Sequence, residues 1–439
     1  MRKLIFISFV QVLLVLGGCG RGGGGGLGGG GGGSGSGSGS NIVPMTVDSG
    51  PASAFDVDTA FITVTVCAPD STTNCEQIPN VEVDTGSYGL RVLATALSST
   101  LLTALTPETA SSGGSLVECT QFLDGFSWGP VALAEVQAGG ESASAVPIQV
   151  IGDSSFENEI PSACSSTGTE EDTLASFGTN GIIGLGPFGS DCGNGCANNV
   201  DNDWYYACPS GGDSTTDCVN AEAAVNQQVT NPVVDFETDN NGIIIELPSV
   251  PDPDGSASTS GSLVFGIGTE SNNGLGNATV LTADPNYGDI IATYNNTQLP
   301  SSYLDTGSNA YYFDATALAP PTLPDCPSSG GSSTFTASWL CPTSEQTLSV
   351  QNEGQSGTIS DVTINIYNAD TLFDSADTEN NTAFDDLGAD SGSQSSECTS
   401  TGSSDCYFDF GLPFFFGRNV YIAIAGANTT GGEGPYFAY

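Results

Sequence analysis

One tetrapeptide occurs twice in this sequence, as Asp84-Thr85-Gly86-Ser87 and as Asp305-Thr306-Gly307-Ser308. Each copy closes a segment that alternates like a β-strand: VEVDTGSYGL at 81–90 and SSYLDTGSNAYYF at 301–313. Residues 61–83 read as strand, turn and strand ending at Asp84. Residues 290–304 do the same around an Asn-Asn turn and end at Asp305. Both are hairpins by pattern. Downstream of the first acid comes Ile182-Ile183-Gly184, and downstream of the second comes Asp409-Phe410-Gly411. The offsets from Asp to Gly are 100 and 106 residues. A unit of hairpin, acid-bearing turn, long β segment and apolar element with Gly therefore occurs twice, which points to two related lobes. The Pro-, Gly- and Ser-rich stretch at 248–261 is the natural join. It gives an N-terminal lobe over 41–255 and a C-terminal lobe over 256–439. Runs of Val, Ile, Thr, Tyr and Phe are short and helical periodicity is scarce, so the expected fold is all-β.

Composition narrows the chemistry. The chain has 50 acidic residues against 5 basic ones, and no histidine. Two of the bases, Arg2 and Lys3, open an apolar leader, leaving Arg21, Arg91 and Arg418. Nucleic-acid binding needs basic surface, which is missing. Ser-His-Asp and Cys-His machinery is excluded, as are histidine-based metal sites and lysine Schiff bases. Carboxylates, tyrosine and water remain. Two carboxylates on equivalent turns can face each other across a pseudo-twofold axis. Close like charges resist ionising together, so such a pair shares a proton. One member then takes a proton from a bound water while the other donates to a carbonyl oxygen. Gly86 and Gly307 permit tight turns, Thr85 and Thr306 offer hydroxyls to cross-brace them, and Ser87 and Ser308 offer hydrogen bonds to the acids. The plain alternative is two Asx turns without chemistry.

The leader, MRKLIFISFVQVLLVLGGCG, has a charged start, an apolar run to Leu16 and small residues before Cys19. It reads as an export signal, too short to span a bilayer. Leu16-Gly17-Gly18-Cys19 resembles a bacterial lipobox, which implies cleavage before Cys19 and acylation of it; a plain secretory signal is the alternative. Gly20 after the cysteine favours an outer-membrane destination by the same analogy. Residues 20–40 are Gly and Ser almost throughout, a flexible tether spanning roughly 25 Å as a coil. Setting Cys19 aside leaves twelve cysteines in an exported body, an even number that reads as disulfides. Close spacing pairs Cys67 with Cys75, Cys326 with Cys341, and Cys398 with Cys406; Cys119 with Cys164 is the next pair. Cys192, Cys196, Cys208 and Cys218 form a cluster of open connectivity. A cysteine-only zinc site is its alternative, against which an oxidising compartment argues.

With these residues in hand, the chain resembles the pepsin-like aspartic proteases, thinly between motifs, over most of 44–439. Asp84-Thr85-Gly86-Ser87 with Leu90 and Val92 is similar to that family's first active-site loop, and Asp305-Thr306-Gly307-Ser308 to its second. Ile182-Ile183-Gly184 and Phe410-Gly411 resemble the elements that thread beneath them. Gly261–Gly266 is similar to the strand opening the second lobe, and Phe416–Tyr421 to a late core strand. The chain also resembles an uncharacterised bacterial lipoprotein family of this architecture. The resemblance implies a bilobal fold of two β-barrel-like lobes, with Asp84 and Asp305 catalytic between them. It implies a monomeric endopeptidase acting on extended peptides in acid, without cofactor or metal. Nucleic acid is no partner, and membrane contact runs only through the lipid anchor in the cell envelope.

Two departures stand out. The family's flap hairpin carries a tyrosine near its tip. Here the segment is 122–140, with Phe122, Phe126 and Trp128 as flap candidates and core packing as their alternative. Arg91 stands where the family has a tryptophan bonded to that tyrosine. It either lowers the dyad's titration or sits in a surface ion pair. An inactive pepsin-fold envelope protein that binds peptides or surface components is the competing reading. A cation-binding surface protein using 198–206 or 373–381 is a further one, though these runs lack the spacing of a twelve-residue calcium loop.

Overall fold

The computed structural model describes residues 41–51, 56–122, 125–157, 160–209, 218–316, 318–327, 338–374, 380–391 and 406–439. Cys19, the leader, the tether and Cys398 lie outside the described residues.

The first expected hairpin is Ala60–Cys67 with Cys75–Asp84, its mouth closed by the Cys67–Cys75 bridge. Its second strand alternates so that Val81 and Val83 enter the core with Val64 and Val66, which leaves Asp84 at the strand end. Cys75–Asp84 pairs in parallel with Gly181–Leu185, the Ile182-Ile183-Gly184 element. Gly181–Leu185 pairs antiparallel with Tyr88–Leu93, and this strand runs parallel to Glu141–Ile151. Glu141–Ile151 forms a hairpin with Gly125–Ala138, which returns to Ala60–Cys67 through Thr65↔Gln137. Six strands thus close into a barrel.

The second half repeats the order. Ile290–Tyr294 and Thr297–Leu304 form a hairpin around Asn295 and Asn296, with φ of 50° and 64°. Two left-handed residues are what a tight hairpin turn requires, and Asn tolerates that region. Thr297–Leu304 pairs in parallel with Asp409–Phe410. This short strand is antiparallel to Tyr311–Phe313, itself parallel to Gly388–Asp390. The pairing sequence is that of the first lobe, but among the described residues the eight strands form an open sheet. Its core is aromatic: Phe408 stacks on Phe410 at 4.5 Å and on Phe313 at 4.6 Å.

The fold is all-β, as expected, with two halves that repeat one strand order; among the described residues the first closes into a barrel and the second forms an open sheet. Strands from both ends of the chain join the halves. Ile42–Val47 pairs antiparallel with Thr259–Phe265, which is followed across the sheet by Gly242–Leu247, Arg418–Ala423 and Tyr436–Ala438. The Gly261–Gly266 segment therefore lies in a sheet shared by both halves.

The disulfides Cys67–Cys75, Cys119–Cys164 and Cys326–Cys341 are as the spacing suggested. The open cluster resolves into Cys192–Cys196 and Cys208–Cys218, which leaves no thiolate there for zinc. Cys406 is also disulfide-bonded.

Candidate active site

Both aspartates stand where a strand ends and the chain must turn. Neither turn holds its shape alone. The Thr85 N–H donates to Thr306 Oγ1 at 3.1 Å, and the Thr306 N–H donates to Thr85 Oγ1 at 3.0 Å. Each hydroxyl passes its own hydrogen across the same divide, Thr85 Oγ1 to the Leu304 carbonyl at 3.1 Å and Thr306 Oγ1 to the Val83 carbonyl at 2.6 Å. Four hydrogen bonds between residues some 220 positions apart lock the loops together, and they use the hydroxyls singled out from sequence.

The acids meet across this lock. Asp84 Oδ1 accepts from the Gly86 N–H at 2.8 Å and the Ser87 N–H at 3.2 Å. Asp305 Oδ1 accepts from the Gly307 N–H at 2.8 Å and, from the opposite loop, the Gly86 N–H at 3.0 Å. Gly86 therefore serves both carboxylates. The glycines are required by space: a Cβ on Gly86 would stand 2.5 Å from Asp305 Oδ2, and one on Gly307 would stand 2.6 Å from Asp84 Oδ1. Both acids are fully buried. Burial raises the Asp84 carboxyl above its ordinary value, against the pull of its hydrogen bonds. Asp305 is raised well above, first by burial and then by the charges of Asp84 and Asp409. Two such groups in contact hold one proton between them far more readily than none. Among the described residues Asp84 Oδ2 is a buried acceptor without a hydrogen-bond partner.

The serines divide. Ser308 Oγ lies 3.1 Å from Asp305 Oδ2 and 2.6 Å from Asp409 Oδ2. Ser87 is buried beside Asp84, whose carboxyl it helps to lower. Asp409 was read only as part of an apolar element. A carboxylate in the place of the first Ile of Ile182-Ile183-Gly184 was the available signal. Tyr88, next to Ser87, was likewise passed over. It is buried against Phe188, and its hydroxyl is made less acidic, first by burial and then by Asp289, Asp84 and Asp305.

Arg91 is neither a surface ion pair nor a partner of the dyad. It is 1% exposed, held by Glu118 Oε1 at 2.6 Å and Asp191 Oδ2 at 3.2 Å, with its Nε on Thr120 Oγ1 and its Nη1 on the Tyr88 carbonyl. Its charge is consumed there, and the first loop gains a brace through Tyr88. The flap candidates are core residues. Phe122 packs on Phe177 among Leu93, Ile151 and Ile182. Phe126 and Trp128 pack with Val117, Phe156 and Tyr206 around Cys119–Cys164, and the Trp128 indole donates to the Phe156 carbonyl at 3.1 Å. In the acidic run 198–206, Asn202 Oδ1 accepts from the Trp204 and Tyr205 N–H groups, a local turn; residues 375–379 of the other run lie outside the described residues. Among the described residues the one group of three potential metal ligands is Cys326, Cys341 and Asp370, and its two cysteines are bonded to each other.

A family model matches residues 37–439, the body with both loops. The chain belongs to the family described as "Protein of unknown function (DUF3443)". Comparison with curated proteins finds no match. Among solved structures, this DUF3443 protein is similar to an aspartic proteinase from Irpex lacteus, with 15% identity over 90% of this chain and 96% of that one, at a TM-score of 0.47.

Proposed function

We propose that this protein is an aspartic endopeptidase, exported and anchored by a lipid on Cys19, that hydrolyses peptide bonds of extended peptide or protein substrates. The observation that carries the reading is the reciprocal seating of Asp84 and Asp305, each against the other loop's glycine, with Gly86 donating to both. A dyad that holds one proton has an acid and a base within reach of one water. The ionised member draws a proton from that water, whose oxygen attacks the peptide carbonyl. The protonated member donates to the carbonyl oxygen, giving a neutral tetrahedral diol. Return of the protons, one of them to the amine, breaks the C–N bond and restores the pair. No step needs a histidine or a metal.

The test compares the full-length, detergent-solubilised protein with Asp84→Asn on an unfolded protein substrate between about pH 3 and 6, where carboxylates titrate. The expected outcome is cleavage by the wild type, blocked by a statine-type transition-state analogue, and a loss of at least about 10³-fold in the variant. A folded, disulfide-bonded wild type that cleaves nothing sinks the enzymatic reading and leaves peptide binding.

A further inference from the structure

Ser308 Oγ stands between two carboxylates, within hydrogen-bond reach of both. A hydroxyl has one hydrogen to give. If Asp305 and Asp409 were both ionised, Ser308 would serve one and present bare oxygen to the other. The row Asp409–Ser308–Asp305 is complete only with one further proton. With that proton on Asp409, the acid donates to Ser308 Oγ and Ser308 donates to Asp305 Oδ2. With Asp409 ionised, Ser308 turns its hydrogen to Asp409 and Asp305 loses a donor.

The surroundings favour the protonated acid. Asp409 is fully buried and, among the described residues, its Oδ1 has no hydrogen-bond partner, so as an anion it would leave a bare charged oxygen in the core. The titratable groups set against it are Asp305 and Asp84 from the two loops, and Tyr303 beside it on the parallel strand, with Tyr407 stacked on Tyr303. Tyr312 pairs with it across the antiparallel strand and donates its hydroxyl to Asn309 Oδ1. None of these brings a positive charge. Burial, first, and the Asp84 charge push its carboxyl well above the ordinary value despite the Ser308 bond. The other lobe supplies an internal control. Ile182 pairs with Glu82 as Asp409 pairs with Tyr303, one residue before the register pairs Val83↔Ile183 and Leu304↔Phe410. Ile182, standing in the place of Asp409, itself offers Ser87 no second carboxyl.

Resting on the peptidase reading, we propose that Asp409 is a third carboxyl of this site, a positioning residue whose proton decides whether Ser308 donates to Asp305 and which thereby sets the upper pH limit of activity. With Asp409 present, the ionisation that ends activity puts its second negative charge on Asp409, away from the touching pair. Without it, both charges must fall on Asp84 and Asp305 themselves, which demands a higher pH.

The experiment measures kcat/KM against pH for the full chain, for Asp409→Asn and for Asp409→Leu, with an infrared difference spectrum of wild type minus Asp409→Asn at neutral pH. The alkaline limb is expected to move up by about 1 pH unit or more in both variants, with the rate at the acid optimum within about threefold of wild type. The difference spectrum is expected to show a protonated-carboxyl stretch. An unmoved limb, or a uniform loss at every pH, overturns the proposal, and so does absence of that stretch. If the leucine variant does not fold, the isosteric asparagine decides. If the wild type cleaves nothing at any pH, the peptidase reading falls, while the infrared band still reports whether Asp409 holds a proton beside Ser308.

Discussion

Replacing Arg91 by methionine is a severe test of how this protein buries charge. Arg91 is 1% exposed and makes two contacts to Glu118, at 2.6 and 3.2 Å, one to Asp191 at 3.2 Å, one to Thr120 at 2.8 Å and one to the Tyr88 carbonyl at 2.9 Å. Methionine keeps much of the apolar stem and removes the cation. Glu118 and Asp191 then face each other, both buried. Removing one partner of a buried ion pair typically costs about 3–5 kcal/mol, because the remaining charge stays in the core. That figure applies where both acids are ionised. In acid Asp191 takes a proton, since it is already raised well above its ordinary value, first by burial and then by Glu118. The loss on denaturant unfolding is therefore expected to approach about 3–5 kcal/mol at neutral pH and to shrink markedly near pH 4. Arg91→Lys is expected to recover only part of it, since lysine lacks the planar fork that spans Glu118, Thr120 and Tyr88. An equal loss at both pH values would assign the effect to volume rather than charge, and no loss at either would refute the account of the network.

The wild type itself is expected to lose stability as pH rises. Burial holds Asp385 at about 6, Asp56 at about 7 and Asp386 at about 8, against an ordinary 3.8, so the folded chain keeps protons that the unfolded chain releases. Their stabilisation is intact below about pH 4 and is lost progressively up to about pH 8, a slope that melting in a buffer series reads directly; a flat profile would show that these acids have found cationic partners. Gly307→Ala is expected to abolish peptidase activity while the disulfides still form, because its Cβ would stand 2.6 Å from Asp84 Oδ1; activity near wild type would mean that the loops are far looser than described.

The sequence was most legible where local pattern and repetition coincide. Each hairpin carries its own alternation and turn residues, and these place Asp84 and Asp305 at strand ends. Cys67–Cys75 follows from the same hairpin. Long-range facts were harder. Arg91 looked like a surface charge because its partners, Glu118 and Asp191, lie 27 and 100 residues away and nothing local marks them. Phe122, Phe126 and Trp128 were placed by distance along the chain, whereas packing assigns them to two small cores beneath the hairpin. Asp409 was hidden by a motif defined by apolar residues, in which an acid reads as a blemish. Among the described residues, closure of one barrel and not the other depends on one strand pairing, from Thr65↔Gln137 to Cys67↔Glu135, between strands with no sequence signature for each other.

The crossed threonines also govern how the molecule moves. Each loop's backbone N–H is held by a hydroxyl from the other half, so neither half can swing away from the floor of the site without breaking all four bonds together. Exchange of either threonine's amide hydrogen with solvent must wait for that one event, so two sites 221 residues apart keep the same clock.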